Sequence, residues 1–350
     1  MIYCRLVVLL IASLLLTMNV QSQGIVHGYT FGDFFYKAQG DDTSISRSQY
    51  AGVEKGTSAL QFRRFYLYYD QDISEKFFAR FLIEGNDGTF SGSSHTLFVK
   101  AAYLQWRNII QGHDLFFGRV STPSWSMGYP ESVWGYRSVE KTITDFRGLG
   151  TSTDIGIAMR GTLSQQGKVG YAVLYGTRNS LQYKDKDFRT VYAFLNAEPV
   201  KGLLLEAYVD RWMTPDDPAY RTLDRTTFKG FAAYRTDSFT IGTEIIHQTR
   251  HRAGPNEQDR TPFGLTFFAR APVAEKLNAF GRVDLFNPDT KIDNTGFTET
   301  FLLFGLDYRP VPNVWIMPNI WINAFSQKSN ETLSKDTDIV ARLTLFYRYR

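Results

Sequence analysis

The chain has 350 residues, 39 Lys and Arg against 35 Asp and Glu, a net charge of +4, and one cysteine, Cys4. So even a balance excludes the basic stripe of a nucleic-acid surface, and a lone cysteine excludes a disulfide framework or a cysteine-built metal site. Aromatic residues reach 15%, mostly Phe and Tyr, an excess that suits girdles at membrane interfaces.

In chain order, the first predicted element is an export signal. Arg5 supplies a positive start, and residues 6–18 form an apolar run broken only by Ser13 and Thr17. Val20 and Ser22 are small residues at the −3 and −1 positions of a cleavage site. Cleavage is therefore expected after Ser22, leaving one domain over 23–350. The run is shorter than the ~20 residues of a spanning helix; the alternative is a retained N-terminal anchor. Cys4 precedes the run and leaves with it, which argues against a lipoprotein and against thiolate chemistry.

Beyond residue 22 the recurrent pattern has period two, interrupted by Gly, Asp, Asn and Pro clusters. It predicts strands near 25–36, 60–70, 75–85, 97–107, 113–120, 153–164, 167–177 and 188–198. The second half adds 201–211, 226–236, 238–249, 261–271, 276–286, 298–309, 313–324 and 338–349. Each is close to the ~9–11 residues that cross a bilayer obliquely. The connections alternate in length. Short ones fall at 71–74, 108–112, 165–166, 199–200, 237, 272–275 and 310–312. Long ones fall at 37–59, 86–96, 121–152, 178–187, 212–225, 250–260, 287–297 and 325–337. Sixteen antiparallel strands with both termini on the short-turn side give that rhythm, and a soluble sandwich has no reason to. The expected fold is all-β: a sixteen-stranded antiparallel transmembrane barrel with short periplasmic turns and long external loops.

The faces agree. Leu203, Leu205, Ala207 and Val209 alternate with Glu206, Tyr208 and Asp210. Leu277, Ala279, Val283 and Leu285 alternate with Asn278, Arg282 and Asp284, and Phe77, Ala79, Phe81 and Ile83 oppose Arg80 and Glu84. Ile339, Ala341, Leu343, Leu345, Tyr347 and Tyr349 oppose Arg342, Thr344, Arg348 and Arg350. Charges opposite an apolar stripe imply a wet interior, because a small closed barrel would fill with apolar side chains. The stretch 167–177 is ambiguous, since Gly170, Ala172 and Gly176 give no polar face.

Several segments resemble the phosphate-selective porin O/P family: "LFFGRVSTPSW", "SVEKTITDF", "TDIGIAMRG", "GKVGYAVLYGTRN", "GRVDLFNPD" and "FGLDYRPVPNVWIMPNIWIN". The likeness runs from about Phe62 to Arg350. It implies an outer-membrane barrel of a Gram-negative bacterium, often a homotrimer, placed by the barrel-insertion machinery, whose third external loop folds into the lumen. Gly118 and Arg119 fall where the family's fifth strand ends, Pro123 opens the long loop, and Asp154 and Gly156 match the strand after it. Phosphate-selecting members carry clustered lysines and an arginine ladder. The loop here offers Arg137, Lys141 and Arg147, offset by Glu131, Glu140 and Asp145. The resemblance thus implies a porin without implying phosphate selection. The chain also ends in Tyr349–Arg350 in place of a terminal aromatic.

The loop 121–152 is long enough to be functional, and Trp125, Tyr129, Trp134, Tyr136 and Phe146 make it too aromatic for disorder. The expectation is that it folds inward, buries these rings against the wall and presents Arg137, Lys141 and Arg147 to the lumen. The alternative is a lid over the outer rim with its charges solvated. Constriction candidates are Arg119, Arg137, Lys141, Arg147, Arg160, Glu140 and Asp145. Lumen-wall candidates are Arg64, Arg80, Glu84, Glu206, Asp210, Glu244, Arg282, Asp284 and Arg342. Both signs occur in similar numbers, so ion preference stays open. Tyr66, Tyr68, Tyr208, Trp315 and Trp321 form either an aromatic track for sugar rings or part of the girdles.

An enzymatic barrel would need a Ser–His pair with an acid. His27, His95, His113, His247 and His251 sit in no HExxH, and no GxSxG occurs. His247 is expected to face lipid, and the i, i+4 spacing of His247 and His251 joins ligands on helices rather than strands. The expected function is passive diffusion of small hydrophilic solutes across an outer membrane, with outer-membrane lipid as the surround and no cofactor. The alternatives are a sugar- or anion-binding channel, or a plugged barrel with an adhesive or enzymatic role.

Overall fold

In the computed structural model, sixteen antiparallel strands pair in chain order and close where β1 meets β16. The structure describes residues 24–41, 50, 52–86, 97–164, 167–178, 188–215, 221–291 and 296–350. The export signal at 1–22, His95 and the turn 165–166 lie outside them. The strands are β1 (Ile25–Gln39), β2 (Ser58–Asp72), β3 (Phe77–Asn86), β4 (Phe98–Ile110), β5 (His113–Ser121), β6 (Thr153–Thr162), β7 (Val169–Gly176) and β8 (Arg189–Ala197). They continue as β9 (Leu203–Met213), β10 (Arg225–Arg235), β11 (Thr240–Arg250), β12 (Phe263–Ala274), β13 (Leu277–Asn287), β14 (Phe297–Tyr308), β15 (Val314–Gln327) and β16 (Asp338–Tyr349). Two short helices, α1 (Tyr129–Trp134) and α2 (Ile143–Phe146), lie between β5 and β6.

The alternation fixes which way each side chain points. On β9, Leu205 and Val209 are exposed while Glu206, Tyr208 and Asp210 are buried. The outward rows form an apolar band: Leu60, Phe117, Phe228, Phe267 and Leu345 are all exposed. Water does not tolerate so continuous an apolar surface, and a hydrocarbon surround satisfies it. His247 belongs to this outer face, flanked in register by Phe228 and Phe263.

Of the register shifts in the wall, two fall beside bases. Between Phe31 and Gly32 the register of β1 against β2 skips Arg63, so Arg63 and Arg64 are both buried. Opposite Leu82 and Ile83 the register skips Lys100. The ambiguous 167–177 stretch becomes β7, whose inward Ala172 and Leu174 are buried with Val120, Ala158, Tyr192, Phe194 and Tyr208. That part of the interior is packed with apolar side chains around two buried carboxylates, Asp154 and Asp210, which the Tyr192 and Tyr208 hydroxyls hold.

Candidate channel constriction

The loop 121–152 carries too many rings to lie in water, and the barrel interior takes them. Trp125, Trp134, Tyr136 and Phe146 are buried. Trp134 meets Phe268 of β12 edge-on at 5.4 Å, and Tyr136 stacks on Phe280 of β13 at 4.3 Å. The Tyr136 hydroxyl donates to Asp307 at 3.2 Å. Phe146 packs against Phe301 of β14 and Trp321 of β15. Pro130 helps to start α1, and Gly135 ends it at a φ of 74°, a left-handed conformation that glycine tolerates.

Polar contacts pin the backbone to the same wall. Lys229 ion-pairs with Glu206 at 3.1 Å and donates to the Ser124 carbonyl at 2.5 Å. Glu206 accepts the Tyr129 N–H at 2.8 Å. Thr144 donates to Glu244, Arg282 donates to the Lys141 carbonyl, and Gln248 donates to the Leu149 carbonyl at 2.7 Å. From β2, Arg63 donates to the carbonyls of Ser138 and Val139 at 3.0 and 3.1 Å. The loop lies chiefly against inward rows of β9–β15, inside the barrel, and Arg63 ties it across to β2.

This anchoring divides the predicted site residues. Glu206, Glu244, Arg282, Asp284 and Arg342 are buried behind the loop, and Asp210 is buried with Tyr208 donating to it at 2.6 Å. Arg282 is held by Asp284 at 2.8 Å and Arg342 by Asn319 at 2.7 Å. Glu140 is buried too, accepting the Trp321 indole N–H at 3.0 Å. Arg147 does not reach the lumen as expected: it is buried, paired with Glu299 at 2.5 Å and set over the Phe146 ring. Its guanidinium supplies the counter-charge to a wall carboxylate that the Asn323 amide also holds at 2.7 Å. Arg119 also departs from expectation. The register places it in the outward row between Ala102 and Ile155, and its Nε donates to the Lys100 carbonyl at 2.9 Å. Arg160 is inward and exposed near the turn end of β6, apart from the loop.

The half-buried charges of the loop are Glu131, Arg137, Lys141 and Asp145. Arg137 holds Asp145 at 2.7 Å and Glu131 at 2.9 Å, and reaches toward the Tyr66 hydroxyl of β2 at 3.5 Å. On the facing wall Glu84 is gripped by Arg64 and by Lys100 at 3.0 Å. Arg80 pairs with Asp70 at 2.6 Å and lies over the Tyr68 ring. Burial pushes the Glu131 carboxyl above the usual range despite Arg137 beside it. Burial acts the same way on Asp145, but Arg137 and Lys141 outweigh it and hold that carboxyl below its usual range. Burial lowers the Lys141 ammonium, against the pull of Asp145.

Counter-ions are unevenly distributed. Among the described residues no carboxylate lies within ion-pairing distance of Lys141, or of the inward Arg160, Arg235, Arg270 and Arg348. These four arginines stand in the half of the barrel nearest the short turns. Asp114 is the acid opposite Arg160 in register, held by the Gln105 amide at 2.8 Å. Asp154, Asp210 and Glu244 are buried and shielded by hydroxyl donors from Thr190, Tyr208 and Thr144.

Sequence reasoning misses Arg63 and Lys100, because a bulge leaves no mark in an alternation. It also misses Asp33, Lys229 and Glu299, although each falls on the inward parity of its strand. The five rings weighed as track or girdle, Tyr66, Tyr68, Tyr208, Trp315 and Trp321, all lie on inward rows, so the girdle reading fails for them. Tyr208 and Trp321 are covered by the loop. The histidines lie apart: His27 stacks on Tyr68 at 4.7 Å, and His113 bonds the Tyr171 hydroxyl at 2.9 Å.

Comparison with known proteins places the fold. An anion-selective porin from Comamonas acidovorans superposes with a TM-score of 0.65 at 12% identity, covering 93% of this chain and 99% of that one. The outer membrane channel DcaP of Acinetobacter baumannii gives 0.65 at 12% identity, covering 93% and 97%. Salmonella typhi OmpF, in its complex with daunomycin, gives 0.66 at 13% identity, covering 95% and 99%. No family model matches the chain, and no curated protein matches it in sequence. At such identities the likeness establishes a shared porin fold.

Proposed function

We propose that the chain is an outer-membrane porin: a passive diffusion channel for small hydrophilic solutes, driven by their gradient and performing no chemistry. One observation carries this. The barrel is apolar outside, and its third long loop is held against one wall while still presenting charges toward the other. Solutes passing between Glu131, Arg137, Lys141 and Asp145 on the loop and Lys100 on the wall, which with Arg64 covers the buried Glu84, meet fixed charges of both signs. Confinement between low-dielectric walls lets such charges bias which ions enter.

The bias favours anions. The bases without a carboxylate partner face the lumen, whereas Asp154, Asp210 and Glu244 are buried. The resemblance to the phosphate-selective O/P porins supports the porin assignment. The dispersed bases support a general anion preference rather than selection of phosphate. Export through a signal cleaved after Ser22 and assembly as a homotrimer complete the proposal.

Single-channel recording of the refolded mature protein in a planar bilayer, across a KCl gradient, tests it. A stable open conductance is expected, with a reversal potential of the anion-selective sign. Zero conductance from protein shown to be folded by heat-modifiable gel mobility overturns the channel. A cation-selective sign overturns only the preference.

A further inference from the structure

Beneath the loop, against the wall formed by β1 and β16, lies a cavity of about 360 Å³. It is at the small end of the roughly 300–1,000 Å³ that ligand sites occupy. One side is aromatic. Phe346 meets Tyr29 edge-on at 5.8 Å and Phe31 edge-on at 6.3 Å, and Tyr29 and Phe31 are stacked at 6.4 Å. The other side is the loop, with the hydroxyl of exposed Ser132 and the Glu131–Arg137 pair.

Arg348 closes the aromatic side. It lies over the faces of Trp315 and Phe346, at 5.1 and 5.3 Å from their centroids. It is exposed, and among the described residues no carboxylate neutralises it. A guanidinium resting on rings keeps its N–H edge free for a planar anion, which it binds as a two-pronged fork. Arg137 differs, because Glu131 and Asp145 already occupy it.

We propose that this cavity is a binding subsite for small ring-bearing carboxylates, with the ring against Tyr29 and Phe346 and the carboxylate on Arg348. An anion without a ring gains only the charge, and a neutral ring gains only the stacking, so the site selects molecules that carry both. The subsite rests on the porin reading for its access. It adds to general anion preference a preference for one solute class.

The test uses the mature protein in planar bilayers in KCl, with benzoate, galacturonate, acetate or glucose added to both sides. Benzoate or galacturonate, the aromatic and sugar forms of this chemistry, is expected to interrupt the current at concentrations where acetate and glucose do not. The more potent of the two identifies the form. Arg348→Gln is expected to raise the half-blocking concentration, measured against that variant's own unblocked current, about tenfold, the loss expected for one charge-assisted hydrogen bond. Tyr29→Leu tests the ring side if the Arg348 variant fails to fold. Equal block by acetate, or block unchanged in the folded variants, overturns the subsite. If KCl alone gives no current, the porin reading fails separately. Quenching of Trp315 fluorescence by benzoate in the refolded protein, abolished by Trp315→Phe, then decides the subsite, and its absence overturns it.

Discussion

Arg137 sits between two carboxylates that titrate in opposite directions. Burial raises Glu131, while Arg137 and Lys141 override burial at Asp145 and lower it. A raised carboxyl takes up its proton at a higher pH than a free glutamate, and a lowered one keeps its charge to more acidic conditions. As pH falls, Glu131 is therefore neutralised first and the passage gains one net positive charge while Asp145 stays ionised. Anion preference should increase on mild acidification, before ordinary surface carboxylates respond. The reversal potential in a fixed KCl gradient, followed from pH 7 toward pH 5, measures this. Glu131→Gln should show the acid value at every pH. A variant that still shifts over the same interval would assign the titration elsewhere.

At the scale of the loop, stability and conduction are coupled through Trp134. Its ring is buried among Val133, Tyr136, Phe268 and Phe280, and its indole N–H donates to the Glu140 carbonyl at 2.8 Å. Trp134→Ala should cost about 3–5 kcal/mol, as truncation of a buried large aromatic does. The strand ladder stays intact, so the loss should appear as a loosened loop: a noisier open channel, with the heat-modifiable gel transition at lower temperature. Quiet conductance in this variant would show that other anchors suffice.

The same loop separates what is local in a sequence from what is not. Its length and its rings are legible in the residues alone, and so is the rhythm of strands, turns and loops, because period-two alternation is local. Which wall the rings meet is not legible, since Phe268, Phe280, Phe301 and Trp321, on the consecutive strands β12–β15, come to face the loop after β5 only when β16 closes on β1. Arg147 reads as a lumen base because nothing nearby in the chain announces Glu299. Arg119 reads as a lumen base from its place beside the loop, although it shares the outward parity of Phe117. Arg63 and Lys100 are hidden by bulges, which shift phase without a compositional sign.

At the scale of the whole molecule, preference comes from a field more than from any one contact. Lys141, Arg160, Arg235, Arg270 and Arg348 come from the loop and from β6, β10, β12 and β16, and they surround the lumen from the constriction toward the turns. Charges so dispersed act on a permeating ion over distances comparable to the screening length, which is about 10 Å at 0.1 M salt and about 3 Å at 1 M. Anion preference should therefore fade steeply when both sides of the bilayer are raised from 0.1 to 1 M KCl at a constant gradient ratio. A preference made by one tight binding site would persist, because an ion in contact with its ligand is screened little. Replacing Arg160 and Arg235 together by Gln should remove a substantial part of the low-salt preference while leaving the 1 M reversal potential nearly unchanged. Neither residue touches the loop anchors, so that variant separates the field from the fold. If the preference is instead equal at both salt concentrations, a localised site must carry it, and Lys141 at the constriction is the base to replace next.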